Sequence, residues 1–266
     1  MTALGISGPI QYAGRVPDLI LLRHGQSEWN QQNLFTGWHD VDLSAQGELE
    51  SAQAGELLAG ERDLDLRVVH TSVLTRAIRT AEISLHLAQR SWLPVRRSWR
   101  LNERHYGDLT GRDKKETADH YGMEQLKLWR RSYDVPPPPL EPNDPRASLR
   151  DPRYRDVPPQ FIPSSECLKD VVARVSPYFS EVIAEDLRKE AILGGAVLVV
   201  AHGNSLRALR MVLQNIAEDE ITELEIPTGI PYRVSLDNEL NVVEARYLGD
   251  PAAAAAAAEA VARQAG

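Results

Sequence analysis

The first apolar run of the chain stops abruptly at a polar loop, and the stretch reads Leu19-Ile20-Leu21-Leu22-Arg23-His24-Gly25. Four consecutive apolar residues without a polar interruption are typical of a β-strand that is buried on both faces. In open parallel α/β sheets, ligands bind just beyond the carboxyl ends of the strands. The arginine and the histidine that follow this run are therefore candidates for a functional site.

A second run of the same kind occupies residues 196–201 and ends in His202-Gly203-Asn204-Ser205. Apolar residues at helical spacing follow, which predicts a helix directly after the strand. If both strands belong to one parallel sheet, His24 and His202 lie at the same edge of it. Two imidazoles beside an arginine suit a phosphoryl group. The alternative is that each histidine merely ends a strand at the surface.

Strand and helix patterns alternate along the rest of the chain, which predicts an α/β fold with a parallel sheet covered by helices. Ser44 is a suitable N-cap for one of the helices, and Pro177 should bend or interrupt another. Further strands are predicted at residues 67–70, 95–99, 224–226, 232–236 and 242–248, and helices at residues 44–60, 75–87, 114–121, 124–131 and 167–190.

The composition narrows the class of protein. The 266 residues carry a formal net charge of −8 at pH 7, which argues against a nucleic-acid or anionic-membrane partner. The single cysteine, Cys167, excludes an intrachain disulfide and fits a reducing compartment, and we expect it to be an ordinary packed side chain. No stretch is long and apolar enough to span a bilayer, and residues 1–17 do not resemble a secretory signal. We therefore expect a cytoplasmic protein.

Two charged residues between the apolar runs are further candidates for the site. Arg76 lies in the first turn of a predicted helix, where backbone amides and a planar guanidinium can bind an anion together. Arg79, one turn later, is expected to be solvated. Glu103 is the only carboxylate of the segment 101–107 and could act as acid and base in a partly dry pocket. Pairing of Glu103 with Arg104 is the alternative.

The segment 108–165 differs from the alternating pattern around it. It contains four consecutive prolines at 136–139, which are incompatible with a helix or a central strand. We predict a long ordered excursion that covers the site as a lid. Lys114, Arg130 and Arg131 have no obvious acidic partner there, and from composition alone a solvated face is the usual explanation.

Taken together, these segments resemble the histidine phosphatase superfamily and, more narrowly, its 2,3-bisphosphoglycerate-dependent phosphoglycerate mutases of the bacterial branch. The resemblance covers residues 19–248 and rests on Arg23-His24-Gly25 with Asn30, Thr36-Gly37-Trp38, the Arg76 segment and the blocks 101–107 and 201–209. The first motif specifies only the superfamily, whereas the two long blocks point to the mutases. The resemblance implies a three-layer α/β/α sandwich with a mostly parallel six-stranded sheet.

The resemblance also implies a reaction, the interconversion of 3-phosphoglycerate and 2-phosphoglycerate through a phosphohistidine on His24, primed by 2,3-bisphosphoglycerate. Glu103 would take and return the proton of the accepting hydroxyl, while Arg23, Arg76 and His202 would surround the phosphoryl oxygens. The implied substrate site adds Gly25, Gln26, Ser27, Asn30, Thr36, Gly37, Arg104, His105, Tyr106, Lys114, Arg130, Arg131, Gly203 and Asn204.

Two residues depart from the family pattern. Gln26 stands where many relatives carry glutamate, a change that we expect to be tolerated. Asp108 adds a negative charge after Tyr106-Gly107, where a small residue is expected, and it could weaken the binding of an anion. The resemblance implies no metal, and the remaining histidines show no metal-ligand spacing.

Two other functions remain open from the sequence. A broad-specificity phosphatase of the same superfamily would share His24 and His202 but let water take the phosphoryl group. A non-catalytic scaffold would require a lost nucleophile or arginine, and none is missing. We predict one domain over residues 18–248, preceded by a flexible leader (1–17) and followed by an alanine-rich tail (249–266), in a homodimer or homotetramer.

Overall fold

The centre of the protein is a six-stranded sheet, seen in a computed structural model that describes residues 17–192 and 194–263. The strands are β1 (Asp18–Arg23), β2 (Leu66–Thr71), β3 (Val95–Arg97), β4 (Ala196–Ala201), β5 (Tyr232–Leu236) and β6 (Val242–Tyr247). Their order is β3-β2-β4-β1-β5-β6. The first four are mutually parallel, and β5 and β6 are antiparallel, so the sheet is mixed but mostly parallel, as predicted.

Strands β1 and β4 lie side by side at the middle of the sheet, because each contains an uninterrupted apolar run and is buried along its whole length. Leu22 pairs with Val200, and Arg23 pairs with Ala201. The register continues past the strands, since the backbone N–H of His24 donates to the carbonyl of Ala201 at 3.0 Å. The two chain segments that carry the predicted site residues therefore end at the same edge.

Helices cover both faces of the sheet and make the three-layer sandwich that the resemblance implied. On one face, Ile20 and Leu22 pack with Ala54 and Leu58 of α2 (Ala45–Gly60) and with residues of α3 (Thr75–Leu87). The other face packs against α6 (Leu168–Tyr178), α7 (Ala184–Ala191) and α8 (Gly203–Gln214). Ser44 caps α2 as predicted: its hydroxyl accepts from the N–H of Gly47. A single-turn helix, α1 (Glu28–Gln31), follows β1.

The segment 108–165 forms α4 (Lys114–Tyr121), α5 (Met123–Arg131) and a long connection with three one-turn 3₁₀ helices, Ser148–Arg150, Pro152–Tyr154 and Pro159–Phe161. It is anchored by buried side chains: Leu126 and Trp129 join Phe35 in a small cluster. Tyr154 packs against Trp38, with ring centroids 4.8 Å apart. These contacts hold the excursion as an ordered layer, as predicted.

Several boundaries differ from the predictions. The predicted strand 224–226 is wrong, because this segment finds no strand partner and its Ile226 carbonyl instead accepts from Arg23 Nη1. The predicted strand 95–99 ends at Arg97, where a 3₁₀ turn (Trp99–Leu101) begins. The interruption predicted at Pro177 is present: α6 ends at Tyr178, and a π-helical segment (Phe179–Ile183) joins it to α7.

The alanine-rich tail forms α9 (Pro251–Arg263). Near its end, Val261 lines the site described below. The predicted leader falls almost entirely on residues 1–16, which lie outside the described part of the chain, and the proposed domain limits stay a prediction. Within residues 17–192 and 194–263, no helix is long and apolar enough to cross a membrane.

Candidate active site

Two imidazoles meet at the shared edge of β1 and β4. The rings of His24 and His202 lie edge to face, with centroids 4.9 Å apart and planes 60° apart. Both are buried, with exposed fractions of 3% and 0%. This distance lets both rings contact one phosphoryl group. The alternative that each histidine simply ends a strand at the surface is therefore wrong.

The environment of His24 fixes which ring nitrogen carries its proton. Nδ1 lies 2.6 Å from the carbonyl oxygen of Gly25. A carbonyl can only accept, so Nδ1 is the protonated nitrogen and Nε2 carries a free lone pair. Burial, followed by the charges of Arg76 and Arg23, holds the pKa of His24 well below its usual value. The ring is therefore neutral and nucleophilic at physiological pH.

Glycine is required beside this nucleophile. The backbone of Gly25 passes so close to α2 that a Cβ atom there would lie 2.2 Å from the carbonyl oxygen of Gly47. The N–H of Gly25 also donates to the hydroxyl of Thr80 at 3.1 Å. These contacts hold in place the carbonyl that sets the tautomer of His24.

Two arginines next to the imidazoles are held by backbone carbonyls. Arg23 Nη1 donates to Ile226 O at 2.7 Å, and Arg76 donates to Gly37 O and His39 O at 2.8 and 3.1 Å. Arg76 is almost fully buried, and burial lowers its pKa to about 10, which still leaves it charged. Neither guanidinium is neutralised by a direct ion pair in the described structure, so both charges are available to an anion.

Glu103 is buried beside these groups, with an exposed fraction of 8%. Its Oε1 accepts from the backbone N–H groups of Arg104 and Asn204, at 2.7 and 3.1 Å. The alternative that it merely forms an ion pair with the Arg104 side chain is wrong, because that guanidinium donates to the carbonyl of Arg130 and contacts the Tyr106 hydroxyl. Glu103 therefore stands at the N-terminus of α8, beside the site.

The buried ion pair between Arg174 and Glu166 lies behind the loop that carries Glu103 and holds it in place. Arg174 of α6 donates to both oxygens of Glu166, at 2.6 and 3.0 Å. The same guanidinium donates to three carbonyls of the loop, those of Arg100, Asn102 and Glu103, at 2.7, 3.0 and 2.9 Å. Trp38 Nε1 also donates to the carbonyl of Glu103, at 2.6 Å. The Glu103 backbone is thus held by side chains from two distant elements.

Two adjoining depressions open over these groups, with empty volumes of about 520 and 460 Å³. Their shared wall contains both Arg23 and Glu103. The first is lined by Arg23, His24, Asn30, Leu34, Phe35, Thr36, Gly37, Arg76, Glu103, Tyr106, Lys114, Arg130 and Val261. The second is lined by Arg23, Glu103, Tyr106, Arg130, Arg131, Gly203, Asn204, Arg207, Glu225, Ile226 and Val261. Most of the predicted site residues therefore line one continuous cleft.

The cleft is strongly cationic inside an acidic protein. Burial, then the charges of Arg130 and Arg23, lowers the pKa of Lys114 to about 7. Burial likewise lowers the pKa of Arg130 to about 10. These residues do not form the solvated face that composition alone would suggest, because Lys114 is buried and Arg131 pairs with Glu225. Such crowding of like charges costs free energy in an empty cleft and is typical of a site that binds an anion.

Unpaired polar atoms point to the same conclusion. Within the described residues, nine buried side-chain polar atoms have no hydrogen-bond partner, and six of them belong to residues in or directly behind the cleft. The six are Arg23 Nε, Thr36 Oγ1, Arg104 Nε, Arg104 Nη1, His202 Nδ1 and Arg207 Nε. Buried donors without partners are costly, and their concentration here indicates a ligand that accepts many hydrogen bonds.

Some predicted site residues do not line the cleft. The hydroxyl of Ser27 caps α1, and Gln26 accepts from the Ser44 hydroxyl. His105 packs against Trp38, and its Nδ1 accepts from the N–H of Gly107. Gly25 and Arg104 lie behind the surface of the cleft, whereas the His202 ring lies against that of His24, where a phosphoryl group can reach it. The structure thus makes Ser27, Gln26 and His105 framework residues, while their predicted contact with substrate stays a prediction.

Three further expectations concern charge. Asp108 does not face the cleft: it pairs with Arg112 and Arg146 on the outer side of the segment 108–165. Arg79 is half-exposed but not simply solvated, because it pairs with Asp42 and Glu48. Cys167 is a packed side chain, and burial raises the pKa of its thiol.

Two residues that line the cleft, Arg207 and Val261, were not predicted from the sequence. Arg207 Nη1 donates to Asn204 Oδ1 at 3.2 Å, and Arg207 also contacts the carbonyl of Ile221. Its position three residues after Asn204 on the predicted helix was a signal, since residues at i and i+3 share a helix face. Val261 lies in an alanine-rich helix, and nothing in that local sequence indicates where the helix docks.

A neutral imidazole with a free lone pair, a second imidazole at contact distance, two buried arginines and one carboxylate together define a phosphoryl-transfer site with a histidine nucleophile. Residues 19–247 match the model of the histidine phosphatase superfamily, branch 1. The chain belongs to this superfamily and, within it, to the phosphoglycerate mutase family.

Relatives in sequence support this placement. The chain is 55% identical to a 2,3-bisphosphoglycerate-dependent phosphoglycerate mutase of Nitratidesulfovibrio vulgaris, over 92% of this chain and 96% of that protein. It is 52% identical to phosphoglycerate mutase 1 of Saccharomyces cerevisiae, over 94% of this chain and 99% of that protein. Such identity over almost the full length of both proteins separates the mutases from other branches of the superfamily.

Relatives in structure share the fold. A phosphoglycerate mutase of Bacillus anthracis superposes with a TM-score of 0.63 at 20% identity, covering 91% of this chain and 96% of that one. A mycobacterial glucosyl-3-phosphoglycerate phosphatase superposes with a TM-score of 0.65 at 24% identity, covering 87% and 97%. Because a mutase and a phosphatase match equally well, the fold alone does not separate the two reactions.

Proposed function

We propose that the protein is a phosphoglycerate mutase that interconverts 3-phosphoglycerate and 2-phosphoglycerate through a phosphohistidine on His24. The observation that carries the proposal is the 4.9 Å approach of His24 and His202 beneath a cleft lined by unpaired donors. The names of the relatives at 52–55% identity supply the substrate class. A catalytically inert scaffold does not account for a neutral, correctly oriented nucleophile.

The residues of the cleft fit 2,3-bisphosphoglycerate as the primer. This molecule carries two phosphates and a carboxylate, and the adjoining depressions present Arg23, Arg76, Lys114, Arg130 and Arg131 around a space with several unpaired donors. When bound, 2,3-bisphosphoglycerate would supply the phosphoryl group that phosphorylates His24. Arg23 and Arg76 would hold the phosphate beside His24, and the other three cations would hold the remaining acidic groups.

The chain's own residues account for the transfer steps. His24 Nε2 directs its lone pair at phosphorus while Nδ1–H stays bonded to Gly25 O; the N–P bond forms as the ester P–O bond breaks, and Glu103 gives a proton to the departing oxygen. Arg23, Arg76 and His202 face the charge that develops on the phosphoryl oxygens. In the return transfer, the accepting hydroxyl attacks phosphorus, the N–P bond breaks, and Glu103 takes the hydroxyl proton.

Exclusion of water decides between a mutase and a phosphatase. A phosphohistidine that meets water is hydrolysed, so a mutase must keep the cleft covered until a substrate hydroxyl arrives. Here α5 contributes Arg130 to the lining, and Val261 of α9 adds an apolar side chain to both depressions. We propose that segment 108–165 and α9 serve as this cover, which favours the mutase reaction over ester hydrolysis.

The test is an isomerisation assay with purified protein, run with and without 2,3-bisphosphoglycerate. We expect rapid interconversion of the two monophosphoglycerates only after priming, and no activity in His24→Ala. His86→Asn, which changes an exposed histidine at the end of α3, should retain full activity. Rapid release of inorganic phosphate from many esters, without isomerisation, would instead establish the phosphatase.

The remaining expectations belong to the same proposal. We propose a cytoplasmic enzyme that acts on small phosphoglycerates without a nucleic-acid, membrane or metal partner. We propose also that it forms a homodimer or homotetramer. Strand β3 is an exposed edge strand, and Trp92 beside it is 68% exposed, which are features of an assembly surface. Analytical ultracentrifugation of the purified chain measures the oligomeric state directly.

A further inference from the structure

The hydroxyl of Ser72 lies directly behind His202. Ser72 follows β2, the neighbour of β4 in the sheet, and its Oγ is 2.8 Å from His202 Nε2. Ser72 and His202 are both completely buried. A neutral His202 can donate to the phosphoryl group from only one of its ring nitrogens, and the contact with Ser72 determines which one.

The hydrogen bonds of Ser72 determine the direction of this contact. Its Oγ already accepts from the backbone N–H of Leu74 at 3.2 Å. If it also accepted from His202, its own proton would have no acceptor among the described neighbours, which is costly at a fully buried site. The satisfied arrangement is the one in which Ser72 O–H donates to His202 Nε2. In a neutral imidazole, the proton is then on Nδ1.

His202 is neutral in the free protein. Burial, followed by the charges of Arg76 and nearby groups, holds its pKa well below the usual value. Its Nδ1 is buried and, although the ring stands in a capping arrangement with Ser205 at the start of α8, this nitrogen makes no hydrogen bond in the described structure. With Nε2 occupied by Ser72, Nδ1 is the one polar ring atom left for a ligand beside the ring of His24.

We propose that Ser72 is a positioning residue that fixes His202 as the Nδ1–H tautomer, so that this N–H donates to the transferred phosphoryl group. The two imidazoles are then set in complementary states by different partners. Gly25 O holds the proton on His24 Nδ1 and leaves Nε2 bare to attack, whereas Ser72 O–H occupies His202 Nε2 and leaves Nδ1–H to donate. The inference rests on the proposed function for its catalytic consequence, but not for the tautomer itself.

The direct experiment is long-range ¹H–¹⁵N NMR on protein labelled with ¹⁵N-histidine at pH 7.5, with the His202 signals assigned by their loss in His202→Asn. We expect the wild-type spectrum to show His202 protonated at Nδ1, with Nε2 unprotonated. Ser72→Ala should shift the proton to Nε2 or give a mixture, and Ser72→Thr, which keeps the hydroxyl, should restore the wild-type pattern. A proton on Nε2 of wild-type His202 would overturn the proposal, even if Ser72→Ala does not fold.

Kinetics provide the functional readout. A misplaced donor to the developing phosphoryl charge costs about 100-fold in rate, so we expect kcat of Ser72→Ala to fall by about that factor while KM changes little. Ser72→Thr should recover most of the loss. Ser84→Ala is the matched control, because it removes another buried hydroxyl, on α3, whose bond to Ser51 O is also 2.8 Å, without touching a histidine. It should lower stability but leave kcat and the tautomer unchanged.

The outcomes separate this inference from the proposed function. If isomerase activity is absent but the Nδ1–H tautomer depends on the Ser72 hydroxyl, the positioning role stands and the assigned reaction is wrong. If isomerisation is rapid in Ser72→Ala and its tautomer is unchanged, the proposed function stands and the role of Ser72 is refuted.

Discussion

Replacement of Arg174 by lysine tests whether the Arg174 guanidinium holds the loop that carries Glu103 in place. Lysine keeps the positive charge beside Glu166 but cannot reproduce the planar fork that also reaches the carbonyls of Arg100, Asn102 and Glu103. Hydrogen bonds to a charged group contribute about 1.5–3 kcal/mol each. Since the lysine ammonium can keep one of the three hydrogen bonds to carbonyls and loses the other two, we expect the free energy of unfolding to fall by about 3–6 kcal/mol.

The assay for Arg174→Lys is thermal and chemical denaturation together with steady-state kinetics on the folded fraction. For a domain of this size, each kcal/mol lowers Tm by about 2–4 °C, so the predicted loss corresponds to roughly 6–24 °C. Loosening of the Glu103 loop should also lower kcat by about tenfold, since small displacements of a proton-transfer group are expensive. KM should change little, because Arg174 does not line the cleft.

Arg246→Lys is the matched control, because Arg246 is 44% exposed and pairs with Glu61 at the edge of the sheet. Exposed ion pairs contribute less than about 1 kcal/mol, so this variant should resemble the wild type in stability and activity. If Arg174→Lys were as stable and as active as Arg246→Lys, the idea that the guanidinium fork positions the Glu103 loop would be refuted.

Three further predictions concern charge and pH. Burial lowers the pKa of Lys114 to about 7, so the Lys114 side chain loses its positive charge as pH rises through this value. KM for phosphoglycerate should therefore increase between pH 6.5 and 8. Arginine stays charged over this range, so the increase should be smaller in Lys114→Arg when KM is measured across the same pH series. Asp108→Asn should leave KM within about twofold, because Asp108 pairs with Arg112 and Arg146 outside the cleft; a large fall in KM would contradict this. Burial lowers the pKa of His105 to about 4, so below pH 6.5 the unfolded chain takes up a proton at this residue that the folded chain does not. The free energy of unfolding should therefore fall toward pH 4, by up to about 1.4 kcal/mol per pH unit from this group. Denaturation curves of His105→Gln should show a weaker dependence of that free energy on pH.

The sequence predicted the central sheet and the two histidines because their signals are local. Residues 19–22 and 196–201 are uninterrupted apolar runs, and such runs must be buried on both faces wherever they occur. A polar loop directly after each run then places His24 and His202 at one edge. The helix at residues 75–87 was predicted with its observed bounds, because its apolar spacing is regular.

The failures occurred where distant residues decide the local structure. Residues 224–226 have the composition of a strand, but their Ile226 carbonyl is taken by the guanidinium of Arg23, which is distant in sequence. Pro177 was expected to bend or interrupt its helix, and it does, but nothing in the local sequence shows that the interruption is a π-helical segment. The hydrogen bonds from Arg174 to the loop that carries Glu103 were not predicted either. No spacing in the sequence shows that a side chain of α6 reaches the carbonyls of Arg100 and Glu103.

The central claim is that His24 attacks phosphorus through Nε2 with His202 beside it, and the most direct measurement is the position of the phosphoryl group on the protein. Wild-type protein incubated with ³²P-labelled 2,3-bisphosphoglycerate should gain acid-labile label on His24, and ³¹P and ¹⁵N NMR should locate it on Nε2. His24→Ala should gain none. Phosphorylation at Nδ1, the nitrogen that donates to Gly25 O, or label that persists in His24→Ala, would contradict the account.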